Sequence, residues 1–258
     1  MIDLHNHLLG EEGTEGSLEE ALRLCEQAQR DGVKQIVVTL RMPNEPRLDR
    51  ARAENYEQRW QELHAHAPAE LKLKRGCEWT VSADLPERLR HFVGSPTIDR
   101  SRYLLLCLPS LHVPDDCGQT VTQLLDDGYV PILTHPECSR AVRRQSSIIA
   151  HLIKLGALVQ LDALSILGGY GVEAERFARW LLERGQAHFI ASRADQRARR
   201  DASLSAACER AGRIIGRSAA HRLVTENPHA VLANEPVADL HPQGRRLPVF
   251  KAALSSGS

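Results

Sequence analysis

Residues 1–40 read MIDLHNHLLGEEGTEGSLEEALRLCEQAQRDGVKQIVVTL: a short apolar segment, a helical stretch and a second apolar segment. Ser17 and Glu20 form a capping box. Leu18, Ala21, Leu22, Cys25 and Ala28 recur at helical spacing on one face, and Gly32 ends the run. A helix joining two apolar segments is a crossover that lays the second strand parallel to the first. Alternation along the first strand aims His5 and His7 at one face and Ile2 and Leu4 at the other. Two imidazoles at that spacing can bring their nitrogen lone pairs within the span of one metal ion. Taken alone, an H-x-H equally suits half-buried polar residues on a sheet surface.

The same alternation continues nearly to the end of the chain. Strands are expected over residues 2–7, 35–40, 71–79, 103–108, 130–135, 157–162 and 188–192, and further helices over 51–66, 119–127, 141–155, 174–184 and 202–215. Seven strand and helix units repeated without an internal break predict a single-domain, closed α/β barrel, with function at the carboxyl ends of the strands. Those ends carry His5 and His7, Arg41, Glu78, Cys107, His135, and Arg193 with Asp195. Three histidines and a glutamate gathered at one rim point to a metal site. The barrel is expected over residues 1–235. Residues 236–258, which include HPQGRRLP and SSGS, lose the periodicity and are expected to be a flexible or docked tail.

The chain has 258 residues, 42% of them hydrophobic, and a formal net charge of zero with both signs interspersed. That is enough apolar content for a sizeable core, and it lacks the one-sided basic footprint of a nucleic-acid binder. No apolar run approaches the roughly 20 residues of a membrane span, and the first residues lack the pattern of a signal peptide, so a cytoplasmic protein is expected. The six cysteines, Cys25, Cys77, Cys107, Cys117, Cys138 and Cys208, contain no C-x-x-C pair and do not suggest a disulfide framework. Cys77 and Cys107 stand out because they lie in or beside segments that carry candidate ligands.

Nine segments carry a family resemblance: MIDLHNHLL, SLEEAL, DGVKQIVVT, GCEW, YLLLCLP, VPILTHPE, GALVQLDALSILGGYG, FIAS and LVTENPHAVLAN. In order and spacing they resemble the PHP (polymerase and histidinol phosphatase) superfamily, and within it the bacterial protein-tyrosine phosphatases of capsule and exopolysaccharide regulation. The resemblance implies a distorted (β/α)7 TIM-like barrel holding a cluster of divalent ions, commonly manganese, that hydrolyses phosphotyrosine. It also suggests a link to a bacterial tyrosine kinase of polysaccharide assembly. Carried onto this sequence, it gives His5, His7 and Glu78 to one ion, with Glu78 bridging to a second ion held by His135.

The chain departs from the family pattern at several ligands. TLRM places Arg41 where the family has a histidine, and EEG offers Glu11 or Glu12 for an acidic loop. Cys107 replaces a glutamate, and S-R-A-D replaces S-D-A-H, so that Arg193 and Asp195 occupy two ligand positions. A guanidinium has no lone pair to donate, so a third ion is not expected. One or two ions remain possible, and a thiolate at Cys107 suits a softer ion such as zinc; iron is a further candidate. Alternatively, Arg41 and Arg193 replace the metals outright, Arg193 contacts Glu78, and the protein is an inactive regulatory or binding relative. A third reading is a phosphatase of small phosphate esters. For phosphate-clamping arginines, Cys138 occupies the family slot and Arg140 lies two residues on, while Arg197, Arg199 or Arg200 offers a second, with Arg199 taken as the representative.

Overall fold

All seven apolar segments form strands of one parallel sheet, in the computed structural model describing residues 1–10, 16–42, 50–196 and 203–237, with backbone only for 50–53. The strands are β1 (Ile2–Asn6), β2 (Gln35–Arg41), β3 (Lys72–Thr80), β4 (Tyr103–Cys107), β5 (Val130–Thr134), β6 (Leu158–Asp162) and β7 (Phe189–Ala191), paired in sequence order. The sheet curls until its edges meet. Closure uses residues just beyond β7: Arg193 N–H donates to the His5 carbonyl (2.9 Å), His7 N–H donates to the Ala194 carbonyl (2.8 Å), and His7 bridges Asp195. The result is a nearly closed barrel of one α/β domain.

Helices wrap the outside: α1 (Leu18–Arg30), α2 (Arg50–His66), α3 (Leu85–His91), α4 (Cys117–Asp126), α5 (Arg140–Arg144), α6 (Ser147–Leu155), α7 (Ala163–Ile166), α8 (Val172–Glu183), α9 (Leu204–Ile215), α10 (Arg217–Arg222) and α11 (Glu226–Leu232). The continuous helix expected over 141–155 is two helices, because Gln145 leaves helical dihedrals (φ −120°, ψ 56°). Periodicity ran through the break because Val142, Ile149 and Leu152 are all buried, keeping one apolar stripe across both pieces. Only half of the capping box at α1 takes the expected form. Glu20 N–H donates to Ser17 Oγ (3.1 Å), but Ser17 N–H donates to Gln196 Oε1 (2.9 Å). Gln196 Nε2 also donates to the Leu8 carbonyl, so it ties the segments after β1 and β7 together.

Two apolar clusters follow from strand alternation. Ile36, Val38, Leu104, Leu106, Leu133, Val159 and Ile190 face the helices. Ile2, Leu4, Val37, Tyr103, Leu105, Ile132 and Phe189 fill the barrel interior, joined by Ile98 and by Val231 of α11. Above this plug the interior turns polar. On β3, Gly76 occupies the narrow level below Glu78, where an added Cβ would lie 2.7 Å from Val37 Cγ1. On β1 the expected opposition of Leu4 and His5 fails. Register shifts between Asp3 and Asn6, so two successive residues serve the interior face: Leu4 joins the plug and His5 joins the polar level above. This is what a β-bulge does: it re-aims a side chain where simple alternation would point it outward.

Candidate metal centre

The bulge leaves His5 and His7 on one face, as expected, and brings them against the end of β3. His5 Nε2 lies 3.1 Å from His7 Nε2 and 3.6 Å from Glu78 Oε1. On the other side of the same carboxylate, His135 Nε2 is 3.1 Å from Glu78 Oε1. Two ligand groups result, His5–His7–Glu78 and Glu78–Cys107–His135, each with ligand atoms within 4.8 Å of one another and sharing Glu78. Glu78 and both first-strand histidines are fully buried, His135 nearly so, and Cys107 is half-buried.

Neighbouring strands hold these groups in place. Thr134 Oγ1 donates to Glu78 Oε1 (2.7 Å), and register places Thr80, Cys107 and Thr134 side by side on β3, β4 and β5. His135 follows β5 in the left-handed region (φ 36°, ψ 49°), where a residue other than glycine is uncommon and a functional constraint is a frequent reason. Its N–H is held by the Gln160 carbonyl (2.9 Å). His7 Nδ1 lies 2.9 Å from the Thr39 carbonyl; since a carbonyl only accepts, Nδ1 carries the proton and Nε2 presents its lone pair. His5 Nδ1 lies 2.9 Å from the Gln160 amide nitrogen, while Gln160 Oε1 is buried without a hydrogen-bond partner. Turning that amide half a turn gives Oε1 the Nδ1–H of His5 and frees the second Nε2 lone pair. With that turn, two imidazole nitrogens face each other beside the Glu78 carboxylate, an arrangement that fits a divalent cation.

The electrostatics agree at the first ligand group. Burial, only partly opposed by Glu78, lowers the His5 pKa well below its usual value and keeps the ring neutral, as a ligand must be. Burial alone raises the Glu78 pKa, but the His135 hydrogen bond and the charges of His135 and Arg41 outweigh it, so the carboxyl is held well below its usual range and is anionic. At the second group, burial and Arg193 lower the His135 pKa, yet Cys107 and Glu78 overcome both and raise it to about 9, so this ring carries a proton that a metal ion would have to displace.

Both arginines at the rim have carboxylate partners. Arg41 sits beside Glu78 in register and donates from Nε to Glu78 Oε2 (3.1 Å), with its side chain 31% exposed. Arg193 takes a left-handed backbone (φ 48°) and is buried. The contact from Arg193 to Glu78 expected for an inactive relative gives way to a pair with Asp162, Nη1 to Oδ2 at 3.4 Å. Register explains the choice, because Asp162 pairs with Ala191, two residues before Arg193. Asp162 and Glu78 keep the buried guanidinium charged despite the desolvation that opposes it.

Asp195 is buried but stands outside both ligand groups. Arg140 is exposed in the first turn of α5. Glu11, Glu12, Arg197, Arg199 and Arg200 lie outside the described residues, as does the tail from residue 238. Cys77 turns away from the site: its thiol contacts the Ser95 carbonyl at 3.6 Å, and burial raises its pKa to about 12. Sequence reasoning missed Thr134, Gln160 and Glu137. Their signal was a polar residue within or just after an otherwise apolar strand. Glu137 Oε1 accepts from the Asp162 N–H (2.8 Å), and burial followed by the Asp162 charge raises its pKa to about 7.

A family profile described as "Capsular polysaccharide synthesis, CpsB/CapC" matches residues 1–233. The chain is 32% identical to CapC of Staphylococcus aureus over 199 residues, covering 74% of this chain and 76% of that protein. It is 27% identical to the tyrosine-protein phosphatase YwqE of Bacillus subtilis over 252 residues, covering 94% and 96% of the two chains. A crystal structure from work on YwqE of Bacillus subtilis and CpsB of Streptococcus pneumoniae, described as metal-dependent tyrosine phosphatases, superposes with a TM-score of 0.77 at 26% identity, covering 95% of this chain and all of that one.

Proposed function

The chain belongs to the CpsB/CapC family of capsular polysaccharide synthesis, and from that premise we propose that it is a metal-dependent phosphoric monoester hydrolase of the protein-tyrosine-phosphatase type, with a reduced set of metal ligands. The observation that carries this reading is the sharing of Glu78 by two ligand groups at the mouth of the barrel. His5, His7 and Glu78 are the proposed ligands of one ion, manganese by resemblance, and Glu78 and His135 are the core of a second position. A divalent ion there supplies positive charge to phosphoryl oxygens and acidity to a water.

The protein's own groups do the rest. The Thr39 carbonyl holds His7 in the tautomer that presents Nε2, and Thr134 fixes Glu78 Oε1 while Arg41 occupies Oε2. Buried walls keep bulk water from screening these charges, which strengthens their action on a phosphate. Arg41, partly exposed at the mouth, presents a guanidinium to an incoming anion. Arg140, just beyond the segment that carries His135, and Arg199 are assigned as clamps for the remaining oxygens. The proposed substrates are phosphotyrosine proteins, with a polysaccharide-assembly tyrosine kinase as a candidate partner and the cytoplasm as the place of action. Among the described residues no helix is long and apolar enough to cross a membrane.

The test uses full-length protein stripped with a chelator and assayed on p-nitrophenyl phosphate and a phosphotyrosine peptide, with and without added Mn²⁺, alongside elemental analysis. Turnover that returns with the ion supports the proposal. No bound metal together with no turnover overturns it, and activity confined to small metabolite esters moves the substrate class.

A further inference from the structure

Strand geometry places a thiol inside the second ligand group. Cys107 ends β4, between Thr80 of β3 and Thr134 of β5 in register, and two residues beyond Leu105 of the interior plug. By alternation it shares the interior face with Leu105. Its Sγ lies within 4.8 Å of both a Glu78 oxygen and a His135 nitrogen. The other group, His5–His7–Glu78, contains only nitrogen and oxygen donors. Manganese and magnesium favour oxygen-rich sites, whereas a sulfur donor beside an imidazole favours zinc, cobalt or cadmium. The two positions flanking Glu78 thus differ in chemical softness although they share a ligand.

We propose that Cys107 is a metal ligand and that, with His135 and Glu78, it makes the second position of this centre selective for thiophilic divalent ions, Zn²⁺ over Mn²⁺, so that the protein carries a mixed-metal pair. The inference rests on the metal-dependent reading above and deepens it. Binding converts the thiol to a thiolate and the protonated His135 ring to a neutral one: the S–H and N–H bonds break, their electron pairs go to the ion, and both protons leave to solvent. No oxidant or reductant is involved.

The test loads chelator-stripped full-length protein with Co²⁺ as the probe and reads its absorbance, with no substrate present. Wild-type protein is expected to show visible cobalt bands together with an intense near-ultraviolet thiolate-to-cobalt charge-transfer band. Cys107→Ser and Cys107→Glu lose the charge-transfer band and keep the visible bands, whereas Cys138→Ser keeps both. In competition between equal Zn²⁺ and Mn²⁺, Cys107→Glu shifts the second position toward Mn²⁺. Cys107→Ser weakens Zn²⁺ retention by more than the roughly 10–100-fold that loss of a ligand's outer hydrogen-bond partner costs. Visible bands without charge transfer in the wild type overturn the role of Cys107 and leave the metal-dependent reading standing. Persistence of the charge-transfer band in Cys107→Ser overturns it as well, and a wild-type chain that binds no cobalt overturns both. A wild-type charge-transfer band shows a thiolate ligand, and loss of that band in either Cys107→Ser or Cys107→Glu identifies it, so the test survives the failure of one variant to fold.

Discussion

Glu137→Gln in metal-free protein isolates the cost of a buried carboxyl beside the site. Glu137 is fully buried, its Oε1 accepts from the Asp162 N–H, and its Oε2 has no hydrogen-bond partner. Burial, followed by the Asp162 charge, raises its pKa from 4.5 to about 7. An acid whose pKa is higher in the folded state binds its proton more tightly there, so folding is favoured while the proton is retained. Stability is therefore lost as pH rises from the unfolded pKa near 4.5 through the folded value near 7, and is level above that. Between these limits the loss is about 3 kcal/mol, from ~1.4 kcal/mol per pKa unit. Glutamine copies the protonated acid in shape and cannot ionise, so the variant escapes the loss. At pH 8 it should be more stable than wild type by about 3 kcal/mol, or ~6–12 °C in Tm for a chain of this size. Near pH 4.5 the two proteins should converge. The assay is thermal unfolding followed by circular dichroism in chelator-containing buffers across this range. An offset that does not change with pH, or a glutamine variant that is less stable at pH 8, refutes the reasoning.

Three further perturbations probe the fold and the rim. Gly76→Ala sets a methyl 2.7 Å from Val37 Cγ1 inside the barrel, and urea unfolding should register a loss of about 1–3 kcal/mol from overpacking; an unchanged midpoint would show that Val37 yields freely. Arg193→Met leaves buried Asp162 without its guanidinium partner, and Tm measured at neutral pH should fall by the equivalent of up to about 3–5 kcal/mol, with the 3.4 Å separation favouring the lower end. Glu78→Gln removes the carboxylate common to both ligand groups. Bound metal measured by elemental analysis should fall at both positions, and p-nitrophenyl phosphate turnover by at least about 100-fold; retention of either would show that the groups do not depend on that carboxylate.

The barrel and its rim were legible because both rest on simple periodicities. Strand and helix alternation requires parallel crossovers, and in such a barrel a polar residue at a strand's carboxyl end is a residue at the mouth. Hence the structure brings His5, His7, Glu78 and His135 together. Features that break a periodicity were not legible. Nothing in MIDLHNH marks the inserted residue that turns both Leu4 and His5 inward, because a period of two cannot register a bulge. The left-handed backbones of His135 and Arg193 carry no glycine to announce them. The Asp162 partner of Arg193 depends on the register of β6 with β7, which no local pattern encodes.

That unforeseen pairing bears on whether guanidinium groups can stand in for ions at this site. Arg41 meets Glu78 and Arg193 meets Asp162, so each fixed positive charge lies against a carboxylate. Glu137 adds to the negative side as it ionises, protonated His135 adds to the positive side, and neutral His5 adds no charge. The arginines therefore offset the buried carboxylates and leave little net positive charge for a phosphate dianion. On the proposed reading, a pocket balanced in this way would still need added cations to bind and activate a phosphate substrate. On the proposed reading, arginines at two positions where the resemblance implies ligands would reduce the number of ions the rim accommodates, while the shared Glu78 would retain the chemical demand for them.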